Sequence, residues 1–482
     1  MELNDARCYQ IAKARDARYD GQFFIAVKTT GIYCRPVCTA ITPKEQNCRF
    51  FQVAAAAERE GFRPCLRCRP ELAPGYSTVD ITRRVARQVA ACIEAGALDH
   101  GSLETVARDF GYSSRQLRRV MEREYGVTPV ELAQTRRLLL AKQLLTDSAL
   151  PMQKVAQASG FASVRRFNHL FRSRYGLNPT ALRRKGVMRL GKGQLSVKIG
   201  YRAPLAWKQL LDFLAGRGAA GVECADGAAY WRTVRLENCK GWICAKPDAR
   251  RPVLNIEVAE SLLPGLTPLM AKLRALFDLN ANPVMIESAL ATDARLRPLL
   301  RRAPGLRVPG AMDGFELALR AVLGQQITVK AATTLFTRFA AAFGEPAQTP
   351  HPALRFYSPQ ADAVAEASLQ KLIGLGLTQK RAQTVHTLAS WMAEGKLSLE
   401  PTVELDATVG ILKAISGIGD WTAQYIAMRA LRSTDAFPAS DLAVMKALEV
   451  ATPRQAGILS ESWRPWRAYA AIHLWNSLSK GG

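Results

Sequence analysis

The segment LETVARDFGYSSRQLRRVMEREYGVTP, residues 103–129, recurs downstream as MQKVAQASGFASVRRFNHLFRSRYGLNP, residues 152–179. A repeat constrains a fold strongly, because one structural solution must serve both copies. Each copy has an apolar stripe at helical spacing, a glycine beside an aromatic residue, a serine, and a second stretch that closes at YG. Helix, glycine turn, helix is the helix-turn-helix layout, whose second helix enters a DNA major groove. Its outward positions are Arg115, Gln116, Arg118 and Arg119 in the first copy. Ser163, Arg165, Arg166 and His169 occupy them in the second. Such side chains pair with guanine, adenine or phosphate. A plain helical bundle with a solvated basic face explains a single copy as well, but it does not explain two.

The charge balance agrees with that partner. A formal net charge of +25 and a pI near 9.9 call for a polyanion, and nucleic acid is the commonest. The GF turn and the closing YG..P make the tandem pair resemble the DNA-binding domain of AraC-type regulators. No apolar run reaches the ~18 residues of a spanning helix, and MELNDARCYQ lacks the apolar core of a signal peptide. The expectation is a cytoplasmic protein without a membrane partner, whose ten cysteines are reduced thiols or metal ligands.

Six of those cysteines fall within residues 1–75. The set Cys34-x3-Cys38 and Cys65-x2-Cys68 has the spacing of four thiolates closing on one Zn²⁺. Bound zinc would contribute ~10–16 kcal/mol of apparent binding energy toward folding a domain with little core. A redox pair fits poorly, since Cys34 and Cys38 are one residue too far apart for it. Four thiolates on one Zn²⁺ leave a net charge of −2, so each sulfur stays nucleophilic. Arg35, Arg63, Arg67 and Arg69 adjoin the ligands and suit a phosphate backbone. The stretches FFIAVKTTGIYCRPVC and GFRPCLRCRPE, within a match of about 60 residues, closely resemble the N-terminal domain of the Ada adaptive-response regulators. That resemblance implies that Cys34 irreversibly accepts a methyl group from a DNA methylphosphotriester and that Cys34, Cys38, Cys65 and Cys68 hold the zinc. Thr30 would orient the sulfur or the phosphate. No PCHR motif occurs, so the second methyl-acceptor domain of the familiar Ada architecture is missing.

After the Gly- and Lys-rich junction RRKGVMRLGKGQ, apolar alternation in AYWRTVRL and VLNIEV predicts strands. From about Leu266 the pattern turns helical. LKAISGIGDWTAQYIAMRAL, residues 412–431, suits a helix-hairpin-helix in which Gly417 and Gly419 let backbone amides approach a DNA phosphate. Asp441 opens an apolar helix, where an N-cap is the plain explanation. Trp421, Tyr425 and Trp475 are large aromatics suited to core packing or to a pocket for a flipped base.

The stretches LFDLNANP, RVPGAMDGFELALRAVLGQQIT, LGLTQKRAQTV, SGIGDWTAQYIAMRAL and WRPWRAYAAIHLW resemble AlkA-type 3-methyladenine DNA glycosylases of the HhH-GPD superfamily. By that resemblance Asp441 is the catalytic aspartate, Trp421, Tyr425, Trp475 and Phe213 line the base pocket, and a monovalent cation sits at the hairpin. Trp421 replaces the lysine of lyase-active relatives, which implies hydrolysis alone. Gln326 stands where a leucine wedge enters the base stack, and Leu442 replaces a pocket tyrosine.

The expected fold is multidomain α+β, with residues 1–75 a small zinc-bound α/β domain and 76–187 an all-α tandem helix-turn-helix. An AlkA-like unit follows over 188–482, its antiparallel sheet in 188–265 and its mostly helical HhH-GPD core in 266–482. The expected function joins methyl transfer to Cys34, activation of sequence-specific transcription and hydrolytic excision of alkylated purines. Double-stranded DNA is the expected partner, RNA polymerase a further one, and the chain is expected to be a monomer. The alternatives are a regulator whose glycosylase-like region is only a DNA-binding scaffold, and a glycosylase with a zinc appendage and no signalling.

Overall fold

The computed structural model describes residues 5–15, 19, 23–38, 40–68, 70, 81–183, 194–400 and 405–478. Both expected domain borders, near 75 and 187, lie outside the described residues. No described helix is long and apolar enough to cross a membrane.

The N-terminal unit runs α1 (Asp5–Ala14), β1 (Phe24–Val27), β2 (Ile32–Cys34), β3 (Cys48–Phe51), α2 (Ala54–Arg59) and β4 (Arg63–Pro64). Its sheet has the order β3-β1-β2-β4, with β1 antiparallel to both neighbours and β4 parallel to β2. The pairing of Tyr33 with Pro64 sets the end of β2 beside the start of the Cys65–Cys68 loop. That register brings the two cysteine pairs together.

The helical unit comprises α3 (Ile81–Glu94), α4 (Ala97–His100), α5 (Leu103–Asp109), α6 (Ser114–Tyr125), α7 (Pro129–Asp147), α8 (Met152–Ala158) and α9 (Val164–Tyr175). The repeat is exact at the level of elements. α5 and α8 have 7 residues each, α6 and α9 have 12 each, and left-handed glycines stop both pairs at Gly126 and Gly176. Ser113 and Ser163 cap the second helix of each pair by accepting a backbone N–H.

A five-stranded antiparallel sheet follows, ordered β5-β9-β8-β7-β6. Its strands are β5 (Gln194–Gly200), β6 (Glu223–Asp226), β7 (Ala229–Leu236), β8 (Cys239–Pro247) and β9 (Val253–Ala259), with α10 (Trp207–Gly216) between β5 and β6. The remaining chain is helical, beginning with α11 (Leu266–Leu276), α12 (Pro283–Leu290), α13 (Arg297–Arg302), α14 (Gly314–Leu323) and α15 (Val329–Phe343). Next come α16 (Ala361–Ala365), α17 (Leu369–Gly374), α18 (Gln379–Ala393) and α19 (Leu405–Ala414). The last four are α20 (Asp420–Arg429), α21 (Leu442–Ala447), α22 (Pro453–Ser460) and α23 (Arg467–Leu478).

One buried cluster contains residues from both sides of the expected border near 187. Leu138, Leu144, Phe167 and Phe171 from α7 and α9 belong to the same buried cluster as Leu195, Val197 and Ile256 of the large sheet. Gln143 donates to the Lys198 carbonyl (2.8 Å), and Arg136 donates to Thr267 (2.7 Å), so polar contacts cross the same seam.

Candidate functional site

The first site is the cysteine cluster. The sulfurs of Cys34, Cys38, Cys65 and Cys68 all lie within 4.8 Å of one another. Four thiols this close cannot all ionise by themselves. Contact first with Cys38, then with Cys65 and Cys68, pushes the Cys34 thiol up, whereas Cys38, hydrogen-bonded to Cys34, is pulled down to about 7. A divalent cation removes that conflict, and four converging soft donors fit zinc. The backbone N–H of Arg35 donates to Cys68 Sγ (3.3 Å), and the Arg35 guanidinium donates to the Cys68 carbonyl (3.3 Å). Arg35 therefore braces the ligand loop as well as flanking it. The Thr30 hydroxyl turns back to the Val27 carbonyl (3.4 Å) at the hairpin tip, and Thr30 is exposed. Arg63 is half-buried and Arg67 exposed; Arg69 lies outside the described residues.

The second site is the pair of recognition helices. Arg115, Gln116, Arg118 and Arg119 are exposed on α6, as are Arg165, Arg166 and His169 on α9. Gln116 is also engaged at its own helix end. Its Oε1 accepts from both the N–H and the hydroxyl of Ser113 (2.9 Å each), closing a capping box. Ser163 is likewise engaged as a cap, accepting from Arg166 N–H (3.2 Å).

The third site lies in a cleft of ≈ 1770 Å³ lined by α10, the α14–α15 turn, the 416–419 hairpin, α21 and α23. Asp441 is the N-cap of α21, its Oδ1 accepting from the N–H groups of Ala443 (3.0 Å) and Val444 (2.9 Å). Two indoles grip the same carboxylate: Trp421 Nε1 donates to Oδ2 (2.7 Å) and Trp475 Nε1 to Oδ1 (3.0 Å). Trp421 stacks on Tyr425 (5.4 Å, 12°), and Phe213 stacks on Trp475 (6.3 Å, 19°). Two of the four expected aromatics thus hold the carboxylate, and the other two stack on them in the same cleft. Leu442, next to it, is 80% exposed at the cleft mouth.

Two arginines of this site carry no signal in the sequence, because only long-range packing assembles them. The Arg217 guanidinium lies 3.8 Å above the Phe213 ring, and Arg429 donates to the Tyr425 hydroxyl and to the carbonyls of Pro309 and Gly310. One face of Phe213 is therefore occupied by a cation. Burial pushes the Tyr425 phenol up, but the guanidiniums of Arg429 and Arg217 outweigh it and bring it below its usual range.

The expected wedge, Gln326, has a left-handed backbone (φ 55°), unusual for a residue with a side chain. Its neighbour Gln325 anchors the turn, donating to the Gly417 carbonyl (2.8 Å) and the Thr422 hydroxyl (2.9 Å). Arg381 donates to the Gln325 carbonyl (2.6 Å). The hairpin needs Gly417, with φ 93° and a position where a Cβ would meet Thr384 Oγ1 at 2.2 Å. Gly419 has an ordinary φ of −85° and open space around it.

Four families match successive parts of the chain. They are the metal binding domain of Ada over 7–71, a helix-turn-helix domain over 106–185, the AlkA N-terminal domain over 196–313, and the HhH-GPD superfamily of base excision DNA repair proteins over 319–454. A Mycobacterium tuberculosis protein described as a probable bifunctional transcriptional activator/DNA repair enzyme AlkA is 38% identical, covering 98% of this chain and 96% of its own. DNA-3-methyladenine glycosylase 2 of Escherichia coli is 34% identical, over 58% of this chain and 95% of its own. A solved 3-methyladenine DNA-glycosylase from Archaeoglobus fulgidus shares the fold, with a TM-score of 0.52 at 20% identity over 58% of this chain and 97% of that one.

Proposed function

The chain belongs to the family of bifunctional AlkA-type transcriptional activators and DNA repair enzymes, and from that premise we propose that it couples an adaptive response to DNA alkylation with excision of alkylated purines. The units assigned are 1–75 for methyl acceptance, 76–187 for reading a promoter and 188–482 for base excision. The observation that carries the glycosylase reading is the Asp441 carboxylate, held by Trp421 and Trp475 in the aromatic cleft.

A purine extruded from the duplex enters among Trp421, Tyr425 and Trp475, and stacking offsets part of its unstacking cost. As the glycosidic bond lengthens, its electron pair leaves with the base and the sugar becomes oxocarbenium-like. Asp441 stabilises that charge and orients the water that adds to the anomeric carbon. Trp421 and Trp475 fix the carboxylate before the substrate arrives, so little reorganisation remains for the reacting state. With Trp421 in place of an amine nucleophile, the product is an abasic site and no strand is cut. Incubating the protein with dimethyl-sulfate-treated duplex and counting abasic sites tests this. Equal release by wild type and Asp441→Asn would overturn it.

At the cysteine cluster, zinc when bound keeps all four sulfurs ionised and nucleophilic. Cys34 attacks the methyl carbon of a phosphotriester, an S–C bond forms, and the C–O bond breaks with its electron pair left on the phosphate oxygen. The resulting thioether is not turned over, so each chain accepts one methyl there. Label transfer from a methylphosphotriester oligonucleotide tests the assignment; transfer retained in Cys34→Ala would refute it. We also propose a monovalent cation at the 416–419 turn, for which exchanging potassium for choline should weaken duplex binding. The protein is read as a cytoplasmic monomer that engages RNA polymerase at its promoter.

A further inference from the structure

Glu58 lies outside every site described above, yet it joins three parts of the chain. It is 4% exposed on the short helix α2, and three hydroxyls converge on its carboxylate. Tyr33 donates to Oε1 (2.8 Å), Thr135 of α7 to Oε2 (2.8 Å), and Tyr175 to Oε1 (3.3 Å). Tyr33 is itself fully buried and immediately precedes Cys34. Tyr175 is the last residue of α9. A buried carboxylate of this kind is costly unless its donors are present, so the three partners are held together rather than loosely adjacent.

The next residue extends the pattern. Arg59 donates to the carbonyl of Gly126, the C-cap of α6. Adjacent residues of one helix thus reach the trailing ends of both recognition helices. A second anchor lies along α7, where Lys142, seven residues beyond Thr135 and therefore two turns along the same face, is 1% exposed and donates to the carbonyl of Cys65 (3.4 Å).

We propose that α2 is a coupler: Glu58 and Arg59 tie the strand carrying Cys34 to the ends of both recognition helices, so that a change at Cys34 is transmitted to their presentation on DNA. The proposal rests on the reading of Cys34 as methyl acceptor. Turning its thiolate into a thioether would remove one negative charge from the four-sulfur cluster and add a methyl group at the end of β2, displacing that end. Tyr33 has no slack in a close-packed interior and carries that shift to Glu58. Hydroxyl–carboxylate bonds weaken steeply with small displacements, so a few tenths of an ångström suffice to alter the grip on α9. Glu58 acts here as a positioning residue, since it touches no reacting atom.

The test is amide hydrogen exchange on the full chain, before and after methylation by an oligonucleotide carrying one methylphosphotriester. In wild type, exchange in the last turns of α6 and α9 should change by at least about threefold. Tyr175→Phe should lose the response at α9 and keep it at α6. Arg59→Met should do the reverse, and its exposed position keeps the test decisive should the Tyr175 variant loosen the interface. If wild type responds and both variants respond equally at both helices, the coupler is refuted while methyl acceptance stands. Methyl uptake by wild type with no change in either helix also refutes it. No methyl uptake at Cys34 overturns the coupler together with the acceptor reading.

Discussion

Asparagine caps a helix about as well as aspartate, which makes Asp441→Asn an informative substitution. The two N–H groups of α21 keep an acceptor while the negative charge disappears. We expect base excision to fall by roughly 10²–10³-fold with little change in melting temperature, as measured by abasic-site release beside calorimetry. Trp421→Phe keeps a ring for stacking and deletes one donor to the carboxylate, so it should cost about tenfold. The residues alone left Asp441 between cap and catalyst, and the AlkA resemblance chose the catalyst. The structure shows the cap, and the same carboxylate is free to serve the proposed catalysis through Oδ2 and the cleft. Gln116 shows another limit: its place three residues after Ser113 permits a capping box that the outward-facing pattern does not reveal, and the Ser113 geometry shows it. His473 supplies a pH prediction. It is 2% exposed, its Nδ1 has no partner among the described residues, and burial lowers its pKa to about 4. Because the unfolded state binds the proton more tightly, stability is fully present above pH ~6.5 and declines toward pH 4, by on the order of 3 kcal/mol. Thermal melts across that range should show the decline, and His473→Leu should flatten it.

At the scale of elements, the hairpin separates two glycines that the sequence presents as equivalent. Gly417→Ala forces a Cβ against Thr384 in a left-handed backbone and disturbs the Thr384–Ser416 bond. It should lower both duplex affinity and excision by about tenfold or more. Gly419→Ala should fold normally, since nothing lies within 4 Å of its added carbon, and any loss should appear only with DNA bound. The strands were legible where apolar alternation was strong: AYWRTVRL is β7 and VLNIEV opens β9. The paired helices were legible through their recurrence. By contrast α2, an alanine-rich turn and a half, has no stripe to betray which side faces a neighbour, and its contacts to α7 and α9 arise from chain far away.

For the whole molecule, the seam between α7–α9 and the large sheet matters most. A fragment of residues 188–482 uncovers Leu195 and Val197, which pack in a cluster with Leu138 and Leu144. Each such side chain is worth about 1.5–3 kcal/mol when buried, so the fragment should melt several degrees below the full chain. The charge of +25 predicts a steep log–log salt dependence of DNA binding, roughly one unit for each phosphate contact. Order and type of the domains were legible because each carries local motifs. The common core was not, because two faces brought together only by tertiary packing leave no shared period in the string. Its consequence is one of headcount. On the proposed reading, a chain whose α6 and α9 are engaged on one stretch of DNA carries its Asp441 cleft there with it, so that copy is withdrawn from search elsewhere.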